Sequence, residues 1–320
     1  MALWDFFKKE KKNTSCTTET TLTDCNEQQR ETFTAEQFSG GFDEDFMGEH
    51  FEGLGNIWEA FFEEGSSITD ELPTIFDNGK VHPRCNVRYE DGSRVVLLQY
   101  PGGNEDMQAG ALFVRPANAE ETEFWSGAPV MKGLPNTIKI KKRHDWSNLV
   151  EGVVLAEIMG NGPVFSFYAP FYFRDFAAFV PDTELTVYLS ALSLTCRKAE
   201  AKELTVEKGP YYEEELQAFL KENPNKTERD FADPTISFVG SKILLPAAYV
   251  CESEYRAPIE KVEATRFLGR LVCKLQISFV SLDEQKISVN IYVPAHQLGE
   301  YVPQVSDDIE GVLWMTGSVE

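Results

Sequence analysis

The chain has 320 residues, with 52 Asp and Glu against 30 Lys and Arg, a formal net charge of −22. Its 42% hydrophobic and 12% aromatic content excludes a disordered chain and supplies a core that needs no disulfide or metal staple. No apolar run reaches the about 18 residues of a membrane-spanning helix, and the acidic balance argues against non-specific nucleic-acid binding by the whole surface.

Six cysteines, Cys16, Cys25, Cys85, Cys196, Cys251 and Cys273, contain no CxxC pair, which leaves no signature of a zinc ribbon or a redox dithiol. The opening MALWDFFKKEKK places its aromatics before its lysines, the reverse of a secretory signal. The expectation is a cytoplasmic protein with reduced thiols.

Charge divides the chain. Residues 1–80 carry 18 acids and 6 bases, whereas residues 81–200 carry 14 and 12. From Glu19 to Asp77 the net charge is −15 over 59 residues, a density that resists compaction. The same stretch holds Phe38, Phe42 and Phe46 at four-residue spacing, then Trp58 and Phe61. Gly40, Gly41, Gly48, Gly53 and Gly55 interrupt any long helix there. Residues 1–80 are therefore expected to form an acidic arm, partly flexible, whose aromatics are candidates for binding a protein partner.

β patterns begin near residue 80. Asn86–Tyr89 and Arg94–Tyr100 flank Asp91-Gly92, a strong hairpin signal. Over Thr137–Lys142, Ile138 and Ile140 alternate with Lys139 and Lys141, which predicts a strand with one wet face. Val150–Ile158, Val164–Tyr168 and Glu184–Leu194 read as further strands. Gly209-Pro210 opens a helix over Tyr211–Asn223. Tyr212, Leu216, Phe219 and Leu220 share one face of it, predicted to pack on the β body. Strands resume over Thr235–Val239, Ile243–Tyr249, Phe267–Val280 and Lys286–Val293. Tyr168-Ala169-Pro170, Phe179-Val180-Pro181 and a strand are echoed by Tyr292-Val293-Pro294, Tyr301-Val302-Pro303 and a strand, which suggests an internal duplication.

These patterns predict a mainly β fold with a few helices: two small antiparallel units, sandwiches or barrels of the oligonucleotide/oligosaccharide-binding (OB) type, behind the acidic arm. The domains expected are 1–80, the arm; 81–204, the first β-rich domain; and 205–320, the helix and the second β-rich domain.

Motifs for nucleotide binding, zinc proteases and nucleophile elbows are absent. His82 and Cys85 stand three apart, but no second pair completes a metal site. No catalytic residue, cofactor or metal is expected. Two regions are candidates for ligand binding. One is the aromatic segment 165–179, with Tyr168, Phe171, Tyr172 and Arg174, as a stacking platform. The other is the basic strand with Lys139, Lys141, Lys142 and Arg143, facing a polyanion or the acidic arm. The main expectation is a non-enzymatic adaptor whose acidic arm engages a protein partner. The alternative is a barrel that binds single-stranded nucleic acid or a glycan through the 165–179 and 139–143 segments, autoinhibited by the arm. A hydrolase with dispersed carboxylates is a third, weaker reading.

Overall fold

The structure, a computed structural model, describes residues 57–319 apart from 89–91, 104, 118–121, 147–149, 201–202, 248 and 282. A helical turn over residues 57–61 leads to α1 (Ile68–Asn78). Ser67 caps α1: its backbone N–H donates to the Asp70 carboxylate at 2.8 Å, which satisfies one of the donors a helix start leaves open. α1 buries Ile68 and Ile75 and stops at Gly79, whose N–H donates to Ile75 O.

Next comes an antiparallel meander of β1 (Lys80–Arg88), β2 (Arg94–Tyr100), β3 (Met107–Arg115) and β4 (Glu123–Met131). Val95, Val96, Leu97 and Leu98 of β2 are all buried, because Val96 and Leu98 face one hydrophobic cluster and Val95 and Leu97 another. A strand covered on both faces reads as a continuous apolar run.

The chain continues through β5 (Leu134–Asp145), β6 (Gly152–Ile158), β7 (Val164–Ala169), α2 (Tyr172–Asp175) and β8 (Glu184–Lys198). An excursion then carries β9 (Glu203–Thr205), α3 (Pro210–Glu222) and β10 (Thr235–Ser237). After it come β11 (Ile243–Pro246), β12 (Glu252–Pro258), β13 (Lys261–Phe267), β14 (Arg270–Val280), β15 (Lys286–Pro294), α4 (Ala295–Leu298) and β16 (Asp308–Ser318).

The fold is mainly β, and it contains a closed five-stranded barrel. Its strands run β5–β6–β7–β16–β8 and back to β5, with β7 and β16 as the parallel pair. β8 and β16 are long enough to serve a second unit, in the order β13–β14–β15–β8–β16–β12. There β12 continues into β13 through Ile259 and Glu260, so the sheet turns back on itself.

The two units match in register. Ile138 pairs with Leu185 in the first and Ala257 with Ile309 in the second. Tyr168 pairs with Thr316, and Tyr292 with Leu192. Asp182 N and Ile140 N bond Ile140 O and Thr183 O, as Ser306 N and Ile259 N bond Ile259 O and Asp307 O. Asp182 and Ser306 both hold positive φ, 61° and 75°. These relations describe an approximate twofold about the Ala191–Met315 pair. One hydrophobic cluster fills both interiors, from Ile138, Val154 and Phe167 to Ala257, Leu275 and Ile291. Another lies between the meander and the shared outer face, where Tyr168, Leu192, Tyr292 and Trp314 are buried.

Three expectations differ from this arrangement. The first and second β-rich domains, expected to divide at residue 204, share strands β8 and β16: the barrel of β5–β8 closes only through β16, and the sheet of β12–β16 takes in β8. Of the residues expected in the arm, 1–56 lie outside the described residues, whereas Ile57, Trp58, Phe61, Phe62 and α1 belong to the body, since their apolar side chains fill the meander's cluster. The helix near 211–223 exists as α3, but its face closes on Phe231. The ring centroids of Tyr212 and Phe219 lie 5.4 and 5.3 Å from that of Phe231, and Leu216 is in none of the three body clusters.

Candidate functional site

The side chains singled out in the aromatic and basic segments are engaged by the body itself. Tyr168 is buried, lies beside Trp146 and Trp314, and donates to Glu151 Oε1 at 2.5 Å. Tyr172 stacks on Phe179 with ring centroids 6.2 Å apart, and its hydroxyl donates to Asp145. Phe165, Phe167, Phe173 and Phe179 are buried too, so strand alternation and the α2 turn use these rings as core. Phe171 is half-buried beneath the Arg174 guanidinium, 4.8 Å from its ring centre. Arg174 pairs with Asp175 and donates to Val319 O, which ties the end of β16 to α2. Arg143 is buried and donates to Phe176 O. Lys139 pairs with Asp182 at 3.3 Å and Lys141 with Glu157 at 3.1 Å. The barrel thus brings Arg143, Asp145, Tyr172 and Phe176 together, whereas Lys139, Lys141 and Arg174 each have a local acid.

Of the aromatic arm candidates, Phe38, Phe42 and Phe46 lie outside the described residues. Trp58 and Phe61 are 6% and 0% exposed. Trp58 donates its indole N–H to Gly127 O at 2.7 Å, and both rings pack on Phe267, which removes them from any surface a partner can reach.

Glu151, only 1% exposed, was not singled out by the sequence. Its Oε1 accepts from Ser126 of β4 at 2.8 Å and from Tyr168 of β7, joining meander to barrel. It is a structural node, since a buried carboxylate needs such donors. Nearby, burial pushes the Cys85 thiol up to about 12, which leaves it a poor nucleophile.

Among the described residues, an open feature is a cleft of about 790 Å³ on the second unit, between β8, β11, β12, β16 and α4. Leu194, Ile243, Leu245 and Val312 give it an apolar lining, and Leu245 is 53% exposed. Its shape depends on Gly311. A bulge in the β8–β16 ladder brings Thr195 O to 2.0 Å from where a Cβ on Gly311 would stand, so no side chain fits there. At one wall, Glu310 accepts from Arg256 at 2.9 Å and from Arg197 at 2.8 Å. Arg256 also donates to Glu200 O and Phe238 O, at the two ends of the excursion. Gln297 of α4 reaches Ser193 and Ala60 O.

Tyr255 and Cys196 meet at the floor. Burial pushes the Cys196 thiol up to about 11, so this thiol stays protonated near neutrality. Among the described residues no three side chains of metal-ligating type cluster, and no helix is long and apolar enough to cross a membrane. The cleft offers apolar contact and a fixed ion-pair wall, the chemistry of docking. No family model matches the chain, and neither does a curated protein or a solved structure.

The cleft was missed because its walls come from residues between 194 and 312, on strands whose neighbours no local pattern names. The available signal was Arg256 and Glu310, charges inside β-rich runs, where a buried charge needs a partner.

Proposed function

We propose that this chain is a non-enzymatic interaction protein that engages a protein partner through the acidic, aromatic segment ahead of its body. Residues 19–56 carry ten acids against Arg30 alone, with Phe33, Phe38, Phe42, Phe46 and Phe51 among them. Short aromatic anchors in a charged context suit recognition by an apolar groove on a partner.

The rival reading draws on the barrel. Its five strands close with the third and fifth parallel, which we read as an OB-type barrel, a class that binds oligonucleotides or oligosaccharides across its second and third strands. We also read the matched units as an internal duplication, on the strength of their registers. The observation that carries the choice is the cover on β6 and β7. Val153, Leu155 and Tyr168, which would form the ligand face, are buried with Phe113, Ala128 and Met131 of the meander. Lys139, Lys141 and Arg174 are each paired with an acid, which weakens the case for a polyanion groove.

The test is affinity capture from the native host with the full chain and with a Phe38→Ala/Phe42→Ala/Phe46→Ala variant. The expected result is one defined protein whose binding falls at least tenfold in the variant and is rebuilt from purified components. Salt-sensitive binding of single-stranded DNA by the full chain, lost on Lys139→Glu/Lys141→Glu, would replace this reading with the barrel one.

A further inference from the structure

The cleft lies close to the place where the N-terminal segment joins the body. Gln297, one of its lining residues, donates its side-chain amide to Ala60 O at 2.9 Å. Ile57 is three residues from Ala60 within the same helical turn, a rise of about 5 Å. From Ile57 back to Phe46 the chain has eleven residues, which span up to about 36–40 Å when extended. The tether is therefore long enough for Phe38, Phe42 and Phe46 to enter the cleft, and so short a tether raises their local concentration to the millimolar range.

The cleft suits such anchors. Leu194, Ile243, Leu245 and Val312 form its apolar lining. Beyond Leu245, Val239 at the end of the excursion is exposed as well. The guanidiniums of Arg197 and Arg256 share the single Glu310 carboxylate, and Arg197 is 74% exposed. Glu254 on the same wall offsets that charge, so burial of aromatic surface has to drive occupancy.

We propose that this cleft is the docking site of the chain's own residues 38–46, with Phe38, Phe42 and Phe46 as its anchors. The proposal rests on the reading of that segment as the partner-binding element: a partner that takes the segment must first displace it from the cleft. Residues 1–56 hold 12 acids and 5 bases, and the remainder 40 and 25, so both parts are net negative. Salt screens that repulsion. Docking through apolar anchors accordingly holds or strengthens as salt rises, whereas docking on lysines weakens.

The experiment uses the purified full chain with the photo-crosslinker p-benzoylphenylalanine at position 42. Irradiation should give crosslinks within one chain to the peptides carrying Leu245 and Val312, with a yield at 0.5 M NaCl no lower than at 0.05 M. Leu245→Glu, at an exposed position, should reduce the yield at least fivefold without changing the melting temperature. Crosslinks to other peptides, or between labelled and unlabelled chains, would overturn the proposal. So would a yield that falls with salt or is indifferent to Leu245→Glu. Because no partner is present, failure here leaves the partner reading standing, and failure of partner capture leaves these crosslinks unaffected.

Discussion

The barrel and the second unit match in register and oppose each other in chemistry. Thr137 pairs with Thr186 on β5 and β8, and both are exposed. At the matching place on β12 and β16 stand Arg256 and Glu310, with Arg256 only 6% exposed. The register is the same, and the cover is different. The excursion between β8 and β11 passes over the second unit and offers Glu200 O and Phe238 O to Arg256, while nothing described covers the Thr pair. On the meander side the contrast reverses. Val153 and Leu155 of β6 are buried, and the matching residues of β14 are Lys274 and Gln276, both half-buried. A strand ladder sets where side chains point, and what lies over it decides which side chains are stable there.

The largest test of this contrast is Arg256→Ala. It strips Glu310 of its better buried partner and two carbonyls of their donor, which should cost about 3–5 kcal/mol. Thr137→Ala, at the matching exposed position, should stay within about 0.5 kcal/mol. Chemical denaturation of both variants checks this, and equal losses would break the comparison.

His144 on β5 and its counterpart Glu263 on the edge strand β13 give a pH test. Burial, opposed by Asp145, lowers the His144 pKa to about 4. The folded state then holds His144 neutral while the unfolded chain, near pKa 6.5, takes up a proton. Stability should therefore fall as pH drops from about 6.5 to 4, by about 2–3 kcal/mol at most. His144→Gln should remove that part of the slope, measured by urea titration at pH 7 and pH 4.5. Glu263 is exposed, and its pKa is lowered chiefly by a hydrogen bond from Lys261; Glu263→Gln should leave the pH profile almost unchanged.

Gly311 faces the β8 bulge, whereas the first unit has Val187 at the corresponding place. Gly311→Ala should cost roughly 1–3 kcal/mol, because the added methyl meets backbone, and thermal melting reads it directly. The smallest effect is expected from Lys139→Ala, which removes an exposed ion pair with Asp182 and should cost under about 1 kcal/mol.

The excursion sharpens the same lesson. Leu216→Ala should speed hydrogen exchange across α3 while the barrel amides keep their protection, since Leu216 belongs to none of the body clusters. A uniform loss of protection would mean that α3 is continuous with the barrel core.

Local chemistry was sufficient for the pieces. Asp91-Gly92 announced the β1–β2 hairpin, which pairs Arg88 with Arg94. Gly209-Pro210 announced α3, which starts at Pro210. β2 spans Arg94–Tyr100, as its apolar run indicates. These features depend on dihedral preferences and on spacing within about ten residues, which the sequence states directly. β4, β12 and β13 were not read as strands. β13 is an edge strand, exposed or half-buried over most of its length, and a wet strand has little apolar alternation to detect.

The tertiary structure decided the rest. Alternation says which residues of a strand face inward, but it does not name the neighbouring strand. Whether β8 pairs with β5, β15 or β16, and that it pairs with all three, depends on segments up to 130 residues apart. The same limit applies to charge. Lys139 and Lys141 read as a basic surface until folding set Asp182 and Glu157 beside them. Trp58 and Phe61 read as arm anchors until Phe267, more than 200 residues on, packed against them. Burial and pairing are properties of the contact between distant segments, and only the closed fold supplies that contact.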